Sequence, residues 1–267
     1  MSRQVDLTII AAVNNDQVLN SCLLSSPDLK SGVELLLLRG HTSAASAYNA
    51  GICQAKGEYL VFIHQDVYLA EGWVERLRAA LEHLSSKDPN WGVLGVWGIN
   101  PAGQGVGYLY CTAIGRQLGE AFAGCKEVRS LDEVLLITRK SSGLQFDESV
   151  GGFHMYGTDI CLEAARRGMR SYAISAFCIH NSNGYGMLPW DFWRACLQMR
   201  TKWRAVLPVI TPCAEITNWC VPMIRWNIVQ GLNVLLGRHK PGRRLPDPAQ
   251  LHRQLLASRL SRVPDRP

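Results

Sequence analysis

Three places along this 267-residue chain hold side chains whose types and spacing could do chemistry. The first is His64-Gln65-Asp66, directly after the apolar run Glu58–Ile63. Side chains alternate faces along a strand, so His64 and Asp66 share one side and Gln65 takes the other. Two nitrogen or oxygen donors two residues apart can reach one divalent ion. A strand-end Asp can equally cap the next helix, and the residues alone leave both readings open. The second place is Asp159, in the first turn of a helix predicted over Thr158–Arg167 with Thr158 as its N-cap. The positive end of a helix favours a carboxylate there. The third is His180, which closes the apolar run Tyr172–Ile179 and is by itself either a structural histidine or a ligand. Nine cysteines, an odd number with irregular spacing and no Cys-x-x-Cys, argue against a disulfide framework and a four-Cys zinc site. They read as buried thiols of a reducing cytosol.

The elements that must position these groups follow from apolar periodicity. Val5–Val13, Val33–Leu38, Glu58–Ile63, Trp91–Ile99, Glu133–Thr138 and Tyr172–Ile179 are short, mostly apolar runs that predict buried strands. Met1–Ile10 lacks the basic head and long apolar run of a signal peptide and reads as the approach to the first strand. Helices are predicted over Thr42–Lys56, which Gly57 ends, and over Glu71–Ser85, from the spacing of Trp73, Leu77, Leu81 and Leu84. A further helix starts at Pro189 and carries Phe192, Cys196 and Trp203 on one face. Glu163 and Arg167, four apart, form a helix-surface pair. Asn100–Gly107 reads as a Gly-rich loop without the Gly-Lys-Ser/Thr of a phosphate loop. Strands alternating with helices predict an α/β fold with a mostly parallel sheet. Pro208, Pro212 and Pro222 then break the pattern, dividing the chain into residues 1–207 and a basic, partly helical C-terminal extension, 208–267.

The stretch Ala44–Asp66, AASAYNAGICQAKGEYLVFIHQD, resembles the family 2 glycosyltransferases of GT-A fold through Asn49, Gly51, Gly57, Glu58, Tyr59 and Asp66. Phe153–Arg167, FHMYGTDICLEAARR, resembles the same family's second block through Tyr156, Gly157 and Asp159. The likeness runs over about residues 5–185. It is closest to a branch named after a streptomycin-biosynthesis protein, in which the metal motif takes a His-Gln-Asp form.

The resemblance implies a GT-A fold that moves a sugar from a UDP-, GDP- or dTDP-linked donor to an acceptor hydroxyl. It implies assistance by Mn2+ or Mg2+, and inversion, because a single base serves a one-step displacement. On this reading Asp66 and His180 hold the metal and Asp159 is the catalytic base. Ala12, Asn14, Arg39, Asn49, His64, Gln65 and Asp132 lie on the donor side, and His154 and Tyr156 on the acceptor side. Asn181–Gly186 would be a small polar loop closing over the donor. The chain also departs from the family. His64 stands where an Asp is usual, and a neutral imidazole suits Mn2+ better than Mg2+. The family's Glu-Asp is Thr158-Asp159 here, its base-contacting Asp after the second strand is replaced by Leu38-Arg39-Gly40-His41, and its Arg before Asn49 is Tyr48. These departures keep a non-catalytic nucleotide- or sugar-binding module of the same fold as an alternative. A sugar-phosphate nucleotidyltransferase is a weaker one, since Asn14–Leu19 offers no Gly-rich triphosphate loop and no basic residue.

The net charge of +6 is concentrated at one end. From Arg200 onward there are twelve Lys/Arg and three Asp/Glu, and the preceding 199 residues hold sixteen and nineteen. Trp219–Leu236 mixes apolar residues with Arg225, and Arg238, Lys240, Arg243 and Arg244 follow it. Such a helix packs on the body or on another subunit, or lies in a membrane interface. The expectation is a cytoplasmic protein, open to peripheral contact with the inner membrane face through this extension and to oligomerisation. It is not expected to bind nucleic acid.

Overall fold

The computed structural model describes residues 7–30, 33–185, 187–238 and 241–260. Val5, Asp6, Gly186 and Lys240, which the sequence reading assigned to the first strand, the donor loop and the basic tail, lie outside the described residues. Fifteen strands are described: β1 (Leu7–Val13), β2 (Glu34–Arg39), β3 (Tyr59–His64), β4 (Val67–Leu69), β5 (Leu94–Gly95), β6 (Trp97–Ile99), β7 (Gly105–Cys111), β8 (Arg116–Gly119), β9 (Cys125–Val128), β10 (Ser130–Leu131), β11 (Leu135–Arg139), β12 (Ser171–Ile174), β13 (Cys178–His180), β14 (Val209–Ile210) and β15 (Glu215–Ile216). The α-helices are α1 (Asp16–Ser21), α2 (Ala44–Gln54), α3 (Trp73–Lys87), α4 (Tyr156–Arg166), α5 (Trp190–Lys202), α6 (Val221–Leu235) and α7 (Pro248–Leu260).

The fold is α/β, as expected, around a seven-stranded mixed sheet of order β2-β1-β3-β11-β5-β12-β9. The parallel pairing that βαβ connections require holds at β2-β1-β3 and at β5-β12. β11 enters antiparallel between β3 and β5, and β9 closes the edge antiparallel to β12. A second sheet runs β10-β6-β7-β13-β4, with β8 beside β7. Two segments that read as single strands, Trp91–Ile99 and Tyr172–Ile179, each cross from the first sheet to the second. β5 and β12 pair in the large sheet, whereas β6 and β13 pair with β7. This crossing brings His180, at the end of β13, back towards the carboxyl end of β3.

Apolar burial on both faces holds the large sheet. On one face Trp73, Leu77 and Leu84 of α3 pack against Ile9, Val61 and Ile137. On the other, Tyr48 of α2 and Tyr156 of α4 close on Phe62 and Phe146 in a ring cluster with centroids 4.8 to 5.8 Å apart. Ser43 caps α2, accepting a hydrogen bond from Ser46 N. Gly51 lets α2 press against the sheet, because a Cβ there would stand 2.4 Å from Ile10 Cγ2. A leucine buried in such a core contributes about 2–3 kcal/mol.

The 208–260 segment packs on this body. β14 and β15 join α5 in a satellite core through Val209, Ile216, Trp193 and Trp203. Met223 and Trp226 set one side of α6 against it. Leu251 and Leu255 of α7 cover Tyr68, Tyr108, Phe177 and Ile179. Among the described residues no helix is long and apolar enough to cross a membrane.

Candidate active site

β3 delivers His64, and the turn after it delivers Asp66. β13 pairs antiparallel with β4, placing His180 opposite Val67, and Asn181 N donates to Asp66 O at 2.8 Å. His180 Nε2 therefore lies 3.4 Å from Asp66 Oδ1. Donor atoms of His64, Asp66 and His180 all fall within 4.8 Å of one another, and this is the one such group among the described residues. The sequence reading paired Asp66 with His180 and put His64 on the donor side; the geometry makes His64 the third member. Two imidazole nitrogens and one carboxylate suit first-row divalent ions such as Mn2+ better than Mg2+, which prefers an all-oxygen shell.

The electrostatics of the three groups are tied together. Burial holds His64 down to about 4, so its imidazole is neutral at pH 7. Burial opposes charge on His180 as well, but Asp66 beside it outweighs that and lifts it to about 10. Burial likewise opposes ionisation of Asp66, and His180, His64 and Arg244 together still hold its carboxyl well below the usual range. An ion held here would take the place of the His180 proton, since a metal ligand must be deprotonated. Cys111 Sγ stands 4.0 Å from His180 Nδ1 on the opposite side of the ring.

A buried layer supports the trio. The Tyr156 hydroxyl donates to Glu133 O at 3.1 Å and lies 2.7 Å from His64 Nε2. A hydroxyl has one proton to give; with that proton on Glu133 O, His64 donates Nε2–H and keeps Nδ1 as its lone-pair nitrogen. Tyr156, expected on the acceptor wall, is 3% exposed and instead orients His64 from below. Asp132 sits beside His64 and accepts from Val134 N through Oδ1 at 3.1 Å. Glu133 accepts from the backbone N–H groups of Met155 and Gly157 at the start of α4, while burial and neighbouring Asp132 push it up to about 8. It is a titratable neighbour of Asp132 that no local sequence signal marks.

Helix α4 begins at Tyr156, two residues before the N-cap assigned to Thr158, which is itself buried inside the helix. The N-cap is Met155, with φ 67° and no side-chain capping bond. Met155 is the one non-glycine residue with positive φ among those described, a strained position next to the site. Asp159 lies in the first turn of α4, as expected, and is 3% exposed. Its oxygens accept from Lys202 Nζ at 2.8 and 2.9 Å and from Trp203 Nε1 at 2.7 Å. Burial raises Asp159 even against these donors. Lys202 also pairs with Asp147 at 2.6 Å. Together with Phe146, Arg166 and Trp203 these groups line a cavity of about 430 Å3. Asp66 and His180 are not among the residues lining that cavity.

The other donor-side residues separate into two groups. Gln65 accepts from Asn14 N and Asn15 N at 3.1 and 3.0 Å and donates back to Asn14 Oδ1, binding the ends of β1 and β3 together. Ala12 pairs with His64 in the β1–β3 register. Arg39 is at the same sheet end but pairs with Asp16 at 2.6 Å, half exposed. Asn49 lies away from the trio: its amide exchanges two 2.9 Å bonds with the Phe146 backbone and fixes the loop that carries Asp147. His154 is half-buried, edge-on to Phe192 at 5.5 Å. The expected Glu163–Arg167 pair forms at 2.8 Å, with Arg166 joining it. Beyond the trio, Arg244 of the extension places Nη2 3.1 Å from Asp66 Oδ2, a contact that no local sequence signal announces.

This chain belongs to the glycosyltransferase-like family, whose model matches residues 8–190. It is 33% identical over 160 residues to a protein described as ATP synthase subunits region ORF 6 of Fuscovulum blasticum, over 58% of this chain and 63% of that one. The chain thus spans less than two thirds of the length of that curated relative. Among solved structures, S. aureus TarS 1–349 in complex with UDP is 13% identical, with a TM-score of 0.47 over 74% of this chain and 65% of that one. GalNAc-T7 with UDP, GalNAc and Mn2+ is 9% identical, with a TM-score of 0.49 over 76% and 49%. The mannosyltransferase PcManGT from Pyrobaculum calidifontis in complex with GDP-Man and Mn2+ is 12% identical, with a TM-score of 0.44 over 67% and 57%.

Proposed function

We propose that this chain transfers a sugar from a nucleotide-diphosphate donor to an acceptor hydroxyl, with inversion, using a divalent cation held by His64, Asp66 and His180. The observation that carries the reading is the convergence of these three donors at the carboxyl end of β3, in a chain of a glycosyltransferase-like family. Parallel-strand carboxyl ends are where open α/β sheets bind ligands. The His64-Gln65-Asp66 form supports placement in the branch named after the streptomycin-biosynthesis protein.

When bound, the ion supplies Lewis-acid stabilisation of the charge that grows on the departing diphosphate. Tyr156 holds the His64 ring and its tautomer, and Arg244 and His180 fix the two oxygens of Asp66. Asp159 acts as the general base. As the acceptor oxygen forms its bond to the anomeric carbon, the bond to the diphosphate breaks with its electron pair, and the acceptor proton passes to the Asp159 carboxylate. Lys202 and Trp203 aim that carboxylate. A second reading gives the base to Glu133. Its raised affinity for a proton favours it, and its backbone carbonyl, which accepts from Tyr156, places the residue next to the trio. Residues 1–207 would carry the transfer, with 208–267 as an extension upon them.

The membrane contact expected of that extension draws support from α6. Val221, Ile224, Ile228, Leu232 and Leu235 follow helical spacing and all are exposed, while the helix has no acidic residue. The proposed location is the cytoplasmic face of a membrane.

A screen of UDP-, GDP- and dTDP-sugars for Mn2+-dependent hydrolysis tests the activity. The wild-type chain is expected to hydrolyse one class, and Asp66→Asn to lose at least 100-fold, about the size of a lost charge-bearing catalytic contact. Metal-independent hydrolysis, or full activity in Asp66→Asn, would overturn the reading.

A further inference from the structure

The C-terminal segment 241–247 runs through the mouth of the candidate site as a strap. Gly242 N donates to Ala113 O at 2.9 Å, and Gly184 N donates to Gly242 O at 2.9 Å. A Cβ on Gly242 would stand 1.9 Å from Thr112 O, so a glycine is required for this passage. Asn181 is fully buried. It clasps Leu245 with two 2.8 Å bonds, while Arg244 N donates to Asn183 Oδ1 at 2.9 Å. Helix α7 anchors the far end of the strap on Phe177 and Ile179. The strap delivers one side chain inward: Arg244, with Nε on Asn181 O at 2.8 Å and Nη2 on Asp66 Oδ2 at 3.1 Å.

This placement is odd for a site that only has to hold a dication. A fixed guanidinium beside the sole carboxylate of the trio repels the ion that the carboxylate attracts. It makes sense when the dication arrives with a polyanion. A guanidinium fork suits phosphate oxygens, and the remaining N–H groups of Arg244 have no partner among the described residues. We propose that Arg244 binds the diphosphate of the donor, so that the C-terminal strap completes the donor site. The inference rests on the function proposed above and adds that residues beyond the family-matched 8–190 are part of substrate recognition.

The test is a calorimetric titration of wild type, Arg244→Gln and Arg244→Lys, first with Mn2+ alone and then with UDP, GDP and dTDP at saturating Mn2+. In Arg244→Gln, Mn2+ alone is expected to bind about tenfold tighter and the nucleoside diphosphate about tenfold weaker, the scale of one charged hydrogen bond. Arg244→Lys is expected to recover nucleotide affinity to within about threefold, because it keeps the charge and loses the fork. Thermal melts establish that each variant is folded. Unchanged nucleotide affinity in Arg244→Gln, or a parallel loss of both ligands with a lowered melting temperature, would overturn this inference and leave the proposed function standing. If wild type binds none of UDP, GDP and dTDP at saturating Mn2+, the function and the inference fall together.

Discussion

The imidazole of His64 and the hydroxyl of Tyr156, 92 residues apart, meet at 2.7 Å. The contact fixes which nitrogen of His64 keeps its lone pair, and partners of this kind commonly change metal affinity 10- to 100-fold when removed. Tyr156→Phe is expected to weaken Mn2+ binding about tenfold while leaving the fold cooperative, because the ring cluster with Tyr48, Phe62 and Phe146 is kept. Isothermal titration with Mn2+ checks this. Undiminished affinity would mean that the Tyr156 hydroxyl does not position His64 for metal binding.

Lys202 sits between two carboxylates, Asp147 and Asp159. Removing it leaves Asp159 buried without its main counter-charge, which typically costs about 3–5 kcal/mol for a buried pair. Because Lys202 is itself partly exposed, Lys202→Met is expected to lose about 2–3 kcal/mol in urea unfolding. It should also raise Asp159 further. If Asp159 is the base, the acid limb of the rate profile then moves to higher pH. If Glu133 is the base, that limb stays where it was.

Glu133 gives a pH dependence of stability with a definite sign. Its carboxyl is raised from an ordinary 4.5 to about 8 in the folded chain. The folded state therefore holds a proton that the unfolded state has released, and stability declines as pH climbs from about 4.5 towards 8. Glu133→Gln lacks this decline. The variant is expected to match wild type near pH 4.5 and to exceed it at pH 8, as read from denaturant midpoints at the two values. A wild-type advantage that grows with pH would contradict the assignment.

No residue of α6 is buried, so its outward stripe can be altered at little cost to folding. Replacing Ile228 and Leu232 by Ser removes roughly 2–4 kcal/mol of interfacial apolar contact. Co-sedimentation with anionic vesicles is expected to fall at least tenfold, with the melting temperature held. Equal sedimentation of wild type and variant would dismiss the membrane contact.

Much of the frame is legible in the sequence, because apolar runs such as Ile9–Val13 and Leu60–Ile63 admit few alternatives to buried strands. Sheet membership is not legible. Trp91–Ile99 and Tyr172–Ile179 look continuous, yet each changes sheets midway, and periodicity says nothing about which neighbour a strand chooses. Strands β7 to β9 escaped notice because glycines and outward polar residues blur their alternation. Asp66 and His180 were recognisable from family likeness and strand-end placement. Tyr156 stands out in its motif, but its contact with His64, 92 residues away, does not. Arg244 is 178 residues from Asp66, and nothing local separates it from the other arginines of the tail. Glu133 was invisible for a similar reason, since its character comes from burial that only the folded chain creates.

The most direct measurement is anomalous diffraction at the manganese edge from crystals soaked with Mn2+ and a nucleoside diphosphate. One strong peak is expected within bonding distance of His64, Asp66 and His180, with the diphosphate beside it. A nucleotide bound elsewhere, or a peak that avoids these three side chains, would contradict it.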